Sequence, residues 1–218
     1  MSDNEKQGFS RRGFLKGAGL TAAGTLFESA QALARQSAEA LHEPATIGPG
    51  AVPVRLRING QPHSIPVEPR DTLAVALRDK VGLTGTKIVC DRGSCSACTI
   101  WLDKTPALAC MTLAVDVGDR EVTTIEGLSD GDHLHPVQVA FVKHDAMQCG
   151  FCTPGMVMSC AALLARNPNP TLGDVKHATS GNLCRCGTYP KVFAATLDAA
   201  KSGGSVAALI MPAGAREV

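Results

Sequence analysis

The chain has 218 residues, 44% of them hydrophobic, enough to bury an ordinary core in one or two domains without disulfide staples. A formal net charge of +1 excludes the basic footprint of a nucleic-acid binder or of a protein held to an anionic membrane surface. Aromatic residues make up 4% of the chain, too few for a base-stacking surface.

At the N-terminus, Ser10-Arg11-Arg12-Gly13-Phe14-Leu15-Lys16 leads into a weakly apolar segment from Gly17 to Phe27, and Ala32-Leu33-Ala34 offers a small-x-small cleavage site. The pattern looks like a twin-arginine export signal over residues 1–34, with the export machinery as partner and the periplasm as destination. An amphipathic anchor helix is the alternative. A transmembrane helix is not, since Glu28 interrupts a run shorter than the roughly 20 residues that spanning requires. Residues 35–51, with Pro44, Gly48, Pro49 and Gly50, read as a linker.

From Val52 the pattern changes. Val54, Leu56 and Ile58 alternate with Arg55, Arg57 and Asn59 as in a strand, Asn59-Gly60 is a hairpin dipeptide, and His63 to Pro69 can return as a second strand. Asp71 or Thr72 can cap a helix that places Leu73, Ala76, Leu77 and Val81 on one face and ends near Gly82. After a cysteine-bearing loop, Thr99 to Leu102, a turn at Asp103 to Pro106 and Ala107 to Cys110 read as strand, turn and strand, with one more strand at Glu121 to Ile125. Beyond Leu128 the strand signals stop. Helices are expected at Pro136 to His144, Thr153 to Arg166, Thr171 to about Gly181 and Pro190 to Lys201. The fold class is therefore α+β: a small mixed-sheet domain over 52–128, an all-α four-helix domain over 129–202, and a tail over 203–218.

Eight of the nine cysteines fall into two sets. Cys90, Cys95 and Cys98 reproduce the four-then-two spacing of plant-type [2Fe–2S] proteins, and the hairpin brings Cys110 back beside Cys98 as a fourth ligand. Cys149 and Cys152 precede one helix, with Pro154 in its first turn, and Cys184 and Cys186 precede another that opens at Pro190. Helix N-termini supply free N–H groups and partial positive charge to an anionic cluster. Three other fates compete. Structural zinc would use Cys149-x-x-Cys152 as one half, but Cys184-x-Cys186 is tighter than the usual knuckle. Disulfides suit an exported protein, yet the twin-arginine route carries folded proteins, and thiolates already bonded to iron are closed to oxidation. Free buried thiols fit Cys160, which lies inside an apolar helix and reads as core. The histidines at 63, 133, 135, 144 and 177 have no nucleophile or carboxylate partner marked by spacing, so no catalytic constellation is expected on this chain.

The two cysteine sets, Asp91-Arg92-Gly93-Ser94-Cys95, Thr124-Ile125-Glu126-Gly127-Leu128, His135-Pro136-Val137-Gln138, Gln148-Cys149-Gly150-Phe151-Cys152-Thr153-Pro154-Gly155 and Ser180-Gly181-Asn182-Leu183-Cys184-Arg185-Cys186-Gly187 resemble the small iron–sulfur subunit of the xanthine oxidase family of molybdenum hydroxylases. With the export signal, the chain is most similar to the small subunits of periplasmic aldehyde oxidoreductases. The resemblance implies a plant-ferredoxin-like β-grasp domain and a four-helix domain, each holding one [2Fe–2S] cluster. It implies a large partner subunit holding a molybdenum cofactor whose pterin Gln148 contacts, and a flavin subunit or a cytochrome as acceptor. The chain would be a non-catalytic electron-transfer subunit of a complex that oxidises aldehydes or heterocycles. A free-standing exported electron carrier or redox sensor is the alternative. Two positions depart from the family pattern, which commonly has Gly where this chain has Val89 and Ser96; neither removes a ligand.

Overall fold

A computed structural model of the protein describes residues 48–202. The export signal with its cleavage site, most of the linker and the C-terminal tail lie outside the described residues. Strands β1 (Val52–Ile58) and β2 (Gln61–Val67) form an antiparallel hairpin. Its turn residues Asn59 and Gly60 take φ of 52° and 78°, the left-handed pair that Asn-Gly adopts most cheaply and that matches the twist of the strands. Strands β3 (Thr99–Leu102) and β4 (Thr105–Leu108) form a second hairpin, and β5 (Glu121–Thr123) joins the two, giving the order β2-β1-β5-β3-β4 with β1 and β5 parallel.

Two local expectations need correction. The second hairpin turns on Asp103 and Lys104, at φ 47° and 65°, and its return strand ends at Leu108, so Cys110 sits in a 3-10 turn (Ala109–Met111) rather than on a strand. Pro106 reads as a breaker in the sequence, but β4 is an edge strand, where a missing N–H costs no ladder bond. The first helix also differs. Thr72 caps it, its Oγ1 accepting from the Val75 N–H at 3.3 Å, but after α1 (Leu73–Val75) the chain widens into a π-helix (Ala76–Val81). Leu73, Ala74, Ala76 and Leu77 are buried, whereas Val81, expected on their face, is only half-buried. Gly82, at φ 87°, closes the helix with its N–H on the Leu77 carbonyl.

The helical part comprises α2 (Pro136–Lys143), α3 (Thr153–Arg166), α4 (Leu172–Ala178) and α5 (Tyr189–Lys201). Strand β3 is buried along its whole length, because alternate residues serve two cores. Ile100 and Leu102 pack with Leu56, Leu77 and Val122, while Trp101 packs with Phe141, Met156 and Val192 of the helices. The Trp101 indole N–H donates to the Met158 carbonyl at 3.0 Å, so a residue of the sheet fixes the position of α3. On the outer side, Lys143 and His144 reach Asp198 of α5 at 2.7 and 2.9 Å, and these bonds hold its carboxyl down at about 2.

Family motifs that carry no cysteine prove to be joints. Asn59 Oδ1 accepts from the Thr124 N–H at 2.9 Å and its Nδ2 donates to Thr124 Oγ1 at 3.0 Å. A Cβ on Gly127 would fall 2.1 Å from Asn59 Oδ1, so the turn after β5 needs glycine there. Glu126 in turn accepts from Gly85 N–H at 2.7 Å, anchoring the approach to the first cysteine loop. At the start of α2, His135 Nδ1 accepts from the Val137 N–H at 3.2 Å while Gln138 Oε1 accepts from the His135 N–H at 2.8 Å.

That cap makes a pH prediction. Because Nδ1 accepts, the ring proton sits on Nε2, which is buried and has no partner among the described residues. Burial pushes the imidazole pKa down to about 4, so the folded chain keeps it neutral where the unfolded chain, near 6.5, takes up a proton. The contribution is complete above about pH 6.5 and is lost as pH falls toward 4, by about 1.4 kcal/mol per pH unit across that window. Chemical denaturation at pH 7 and pH 5 should show wild type losing more stability than His135→Asn, which keeps a cap acceptor but cannot titrate.

Candidate metal centres

The first set is assembled by the loop before β3 and by the hairpin's return. Arg78 of the π-helix donates to the Thr84 and Thr86 carbonyls at 2.8 and 2.9 Å, which fixes the chain entering the loop. Within it, Asp91 and Gly93 take positive φ, 51° and 74°, folding the backbone back so that Ser94 N–H reaches Cys90 Sγ at 3.3 Å. The Ala109 N–H donates to the Cys98 carbonyl at 3.2 Å, and this bond brings Cys110 to Cys98. Cys95, Cys98 and Cys110 are buried and Cys90 is half-buried.

In each set the thiols stand two and two. Cys90 neighbours Cys95 and Cys98 neighbours Cys110; Cys149 neighbours Cys186 and Cys152 neighbours Cys184. Backbone donors point at several of these sulfurs. The Arg92 N–H, followed by the Cys95 thiol, brings Cys90 down to about 7, and the Phe151 N–H, followed by Cys186, lowers Cys149. At Cys184, burial opposes the thiolate but is outweighed by the Thr188 hydroxyl and N–H, leaving it at about 7. Burial pushes Cys98 and Cys152 up to about 12. Among the described residues no three Cys, His, Asp or Glu converge as the ligands of one metal ion. Four thiols served by N–H donors would suit a [2Fe–2S] cluster, an anionic group held by four thiolates whose charge such donors offset.

Cys152 is the N-cap of α3, and Cys184 and Cys186 lie just before Thr188, the N-cap of α5. The loop between them is held by Tyr189, whose hydroxyl accepts from the Cys184 N–H at 2.8 Å and donates to the Asn182 carbonyl at 3.0 Å. The two cysteine loops are joined directly. Leu183 N–H donates to the Cys95 carbonyl at 3.1 Å, and Asn182 Nδ2 to the Ser96 carbonyl at 3.1 Å. Gly155 of α3 lies against the same carbonyl, 2.2 Å from where its Cβ would be.

Cys149 and Cys186 are the exposed pair. Gln148 and Cys186 line a cavity of about 480 Å³, together with Gly187, Thr188 and the ion pair of Asp145 with Lys191. Cys160 is fully buried with its pKa pushed up to about 12 by burial, and it packs in the helical core. Of the two departures from the family pattern, Val89 is 56% exposed. Ser96 takes φ 52°, a left-handed conformation that glycine adopts freely. Asn182, Tyr189 and Gly155 were not legible as positioning residues. The partners of Asn182 and Gly155 lie across the domain junction and those of Tyr189 in its own loop, and only Gly155, a glycine in a first helical turn where it weakens the helix, carries a signal in the sequence.

The chain matches the model of the 2Fe-2S iron-sulfur cluster binding domain over residues 56–115 and that of the [2Fe-2S] binding domain over residues 124–197. It is 42% identical over 171 residues to the aldehyde oxidoreductase iron-sulfur-binding subunit PaoA of Escherichia coli (strain K12), covering 72% of this chain and 75% of that one. It is 47% identical over 148 residues to the nicotine 6-hydroxylase small subunit of Paenarthrobacter nicotinovorans, covering 68% and 89%. Among solved structures, a chain of quinoline 2-oxidoreductase from Pseudomonas putida 86 superposes with a TM-score of 0.68 at 44% identity, covering 70% of this chain and 96% of that one.

Proposed function

The chain belongs to the small iron–sulfur subunits of the xanthine oxidase family of molybdenum hydroxylases, and on that premise we propose that it serves an exported complex that oxidises an aldehyde or a heterocycle. It is an electron-transfer subunit of an oxidoreductase complex and has two [2Fe–2S]-binding domains. Cys90, Cys95, Cys98 and Cys110 would hold one cluster and Cys149, Cys152, Cys184 and Cys186 the other. Bound there, the clusters supply one-electron carriers between the partner's molybdenum cofactor and an acceptor.

The observation that carries the reading is the joined pair of cysteine loops with one open end. Cys186, one of the exposed pair with Cys149, shares a cavity wall with Gln148, a side chain able to hydrogen-bond the pterin of a cofactor held by the large subunit. The Leu183 N–H on the Cys95 carbonyl then ties that set to the other through this chain's own backbone. Beside the first set, Val89 and Met111 flank Cys90 and Cys110 and are 56% and 64% exposed; we assign this patch to the acceptor, a flavin subunit or a cytochrome. The Arg11-Arg12 segment supports export of the folded, loaded chain to the periplasm.

Iron, sulfide and molybdenum analysis of the native complex, with low-temperature electron paramagnetic resonance, tests the reading. About four irons per chain and two inequivalent [2Fe–2S] signals are expected, with molybdenum on a co-purifying larger subunit. A soluble monomer that reduces and reoxidises alone would favour the free-standing carrier, and zinc in place of iron would end both readings.

A further inference from the structure

Thr188 is the N-cap of α5, yet its hydroxyl does not cap that helix. Thr72 and Thr171, the N-caps of α1 and α4, both accept from a first-turn N–H, at 3.3 and 3.2 Å, as threonine N-caps ordinarily do. At α5 two features remove that use. Pro190, in the first turn, has no N–H, and the N–H groups of Lys191 and Val192 are both taken by the Thr188 carbonyl, each at 3.0 Å. The hydroxyl instead lies 3.2 Å from Cys184 Sγ. A metal-bound sulfur carries no proton, so Thr188 must be the donor of that bond.

We infer that the Thr188 hydroxyl is a positioning residue that raises the reduction potential of the second cluster by donating to the Cys184 sulfur. The inference rests on the reading that Cys149, Cys152, Cys184 and Cys186 hold a cluster. Reduction adds one electron and no proton, and the added charge falls partly on the sulfurs. A bond donated to sulfur is therefore stronger in the reduced state and favours it. The Tyr189 hydroxyl on the Cys184 N–H and the Leu183 N–H on the Cys95 carbonyl fix the backbone that leads into Cys184, which holds its side chain beside the hydroxyl. Cys184 adjoins the residue that joins the two loops, so the bond acts on the ligand nearest the junction.

The test is a redox titration of the native complex followed by electron paramagnetic resonance. Thr188→Val should shift the one-electron equilibrium of the second cluster about tenfold toward the oxidised form, about 59 mV, with the first cluster unmoved. Thr188→Ser should keep the wild-type value. A Val variant that loads both clusters and titrates like wild type overturns the inference. If Val prevents loading, Thr188→Ala against Thr188→Ser is the comparison, and equal potentials overturn it. Loss of the second cluster from both Val and Ala variants, with Ser retaining it, assigns Thr188 a purely structural role and overturns it too. An unmodified complex without a second [2Fe–2S] signal would instead fail the underlying reading.

Discussion

Replacing Gly155 by alanine should destabilise the protein by about 3 kcal/mol, at the upper end of ordinary overpacking, and should loosen the first cysteine loop. The added Cβ would stand 2.2 Å from the Ser96 carbonyl oxygen and 3.1 Å from backbone carbons of Ala97. These are backbone atoms, pinned by the Thr99 hydroxyl and by Asn182 Nδ2 on the same oxygen, at 2.7 and 3.1 Å, so neither side can yield by a rotamer change. The start of α3 must move off the loop, and the Asn182 bond across the junction goes with it. In a chain of this size about 3 kcal/mol corresponds to a melting temperature lower by roughly 10 °C. The first cluster's resonance signal should broaden, because Cys95 and Cys98 flank the displaced residues. Gly173→Ala is the control. Only Thr171 Oγ1, at 3.5 Å, lies near the new methyl, and a helical position should gain slightly from alanine. A Gly155→Ala protein as stable as wild type would show that the junction is softer than its contacts imply.

Much of this architecture was legible because the pattern and the packing agree. The alternation from Val54 to Ile58, the Asn59-Gly60 turn and the proline-opened helices at Pro136, Pro154 and Pro190 depend on local chemistry, and each element formed where its residues pointed. The misses share another cause. The Asp103-Lys104 turn has no glycine, and it holds because Asp103 Oδ1 accepts from the Glu121 N–H at 2.9 Å, a contact with β5. The π-widening of the first helix has no breaker in its sequence to announce it. The spacing singles out the eight cysteines as candidate ligands, but the carbonyls of Cys95 and Ser96 as docking points come from how two domains meet. No local window contains both sides of that contact.

Replacing Cys149 by serine should abolish the second [2Fe–2S] signal and leave the first, with iron falling from about four to about two per chain. Electron delivery to the physiological acceptor should drop to background, since serine is a poor substitute for a thiolate on iron. Survival of the first cluster is the sharper part of the claim, because the loops touch. Three observations favour it. All four cysteines of the first set come from the loop before β3 and the hairpin that follows, and Cys98 and Cys110 pack in the sheet core, which shares no residue with the helical one. The hydrogen bonds between the two cysteine loops come from Asn182 and Leu183, and their loop is closed by the Tyr189 hydroxyl bridging Asn182 and Cys184, a brace that needs no metal. Cys149 itself is exposed and makes none of the bonds across the junction, so its loss leaves Cys184 and the junction bonds in place. Loss of both signals in Cys149→Ser would mean that the 182–189 loop takes its shape from the cluster, making the two sites one folding unit. In that event the stability measured for Gly155→Ala would depend on iron loading, and comparing that variant with wild type in iron-replete and iron-depleted preparations would reveal it.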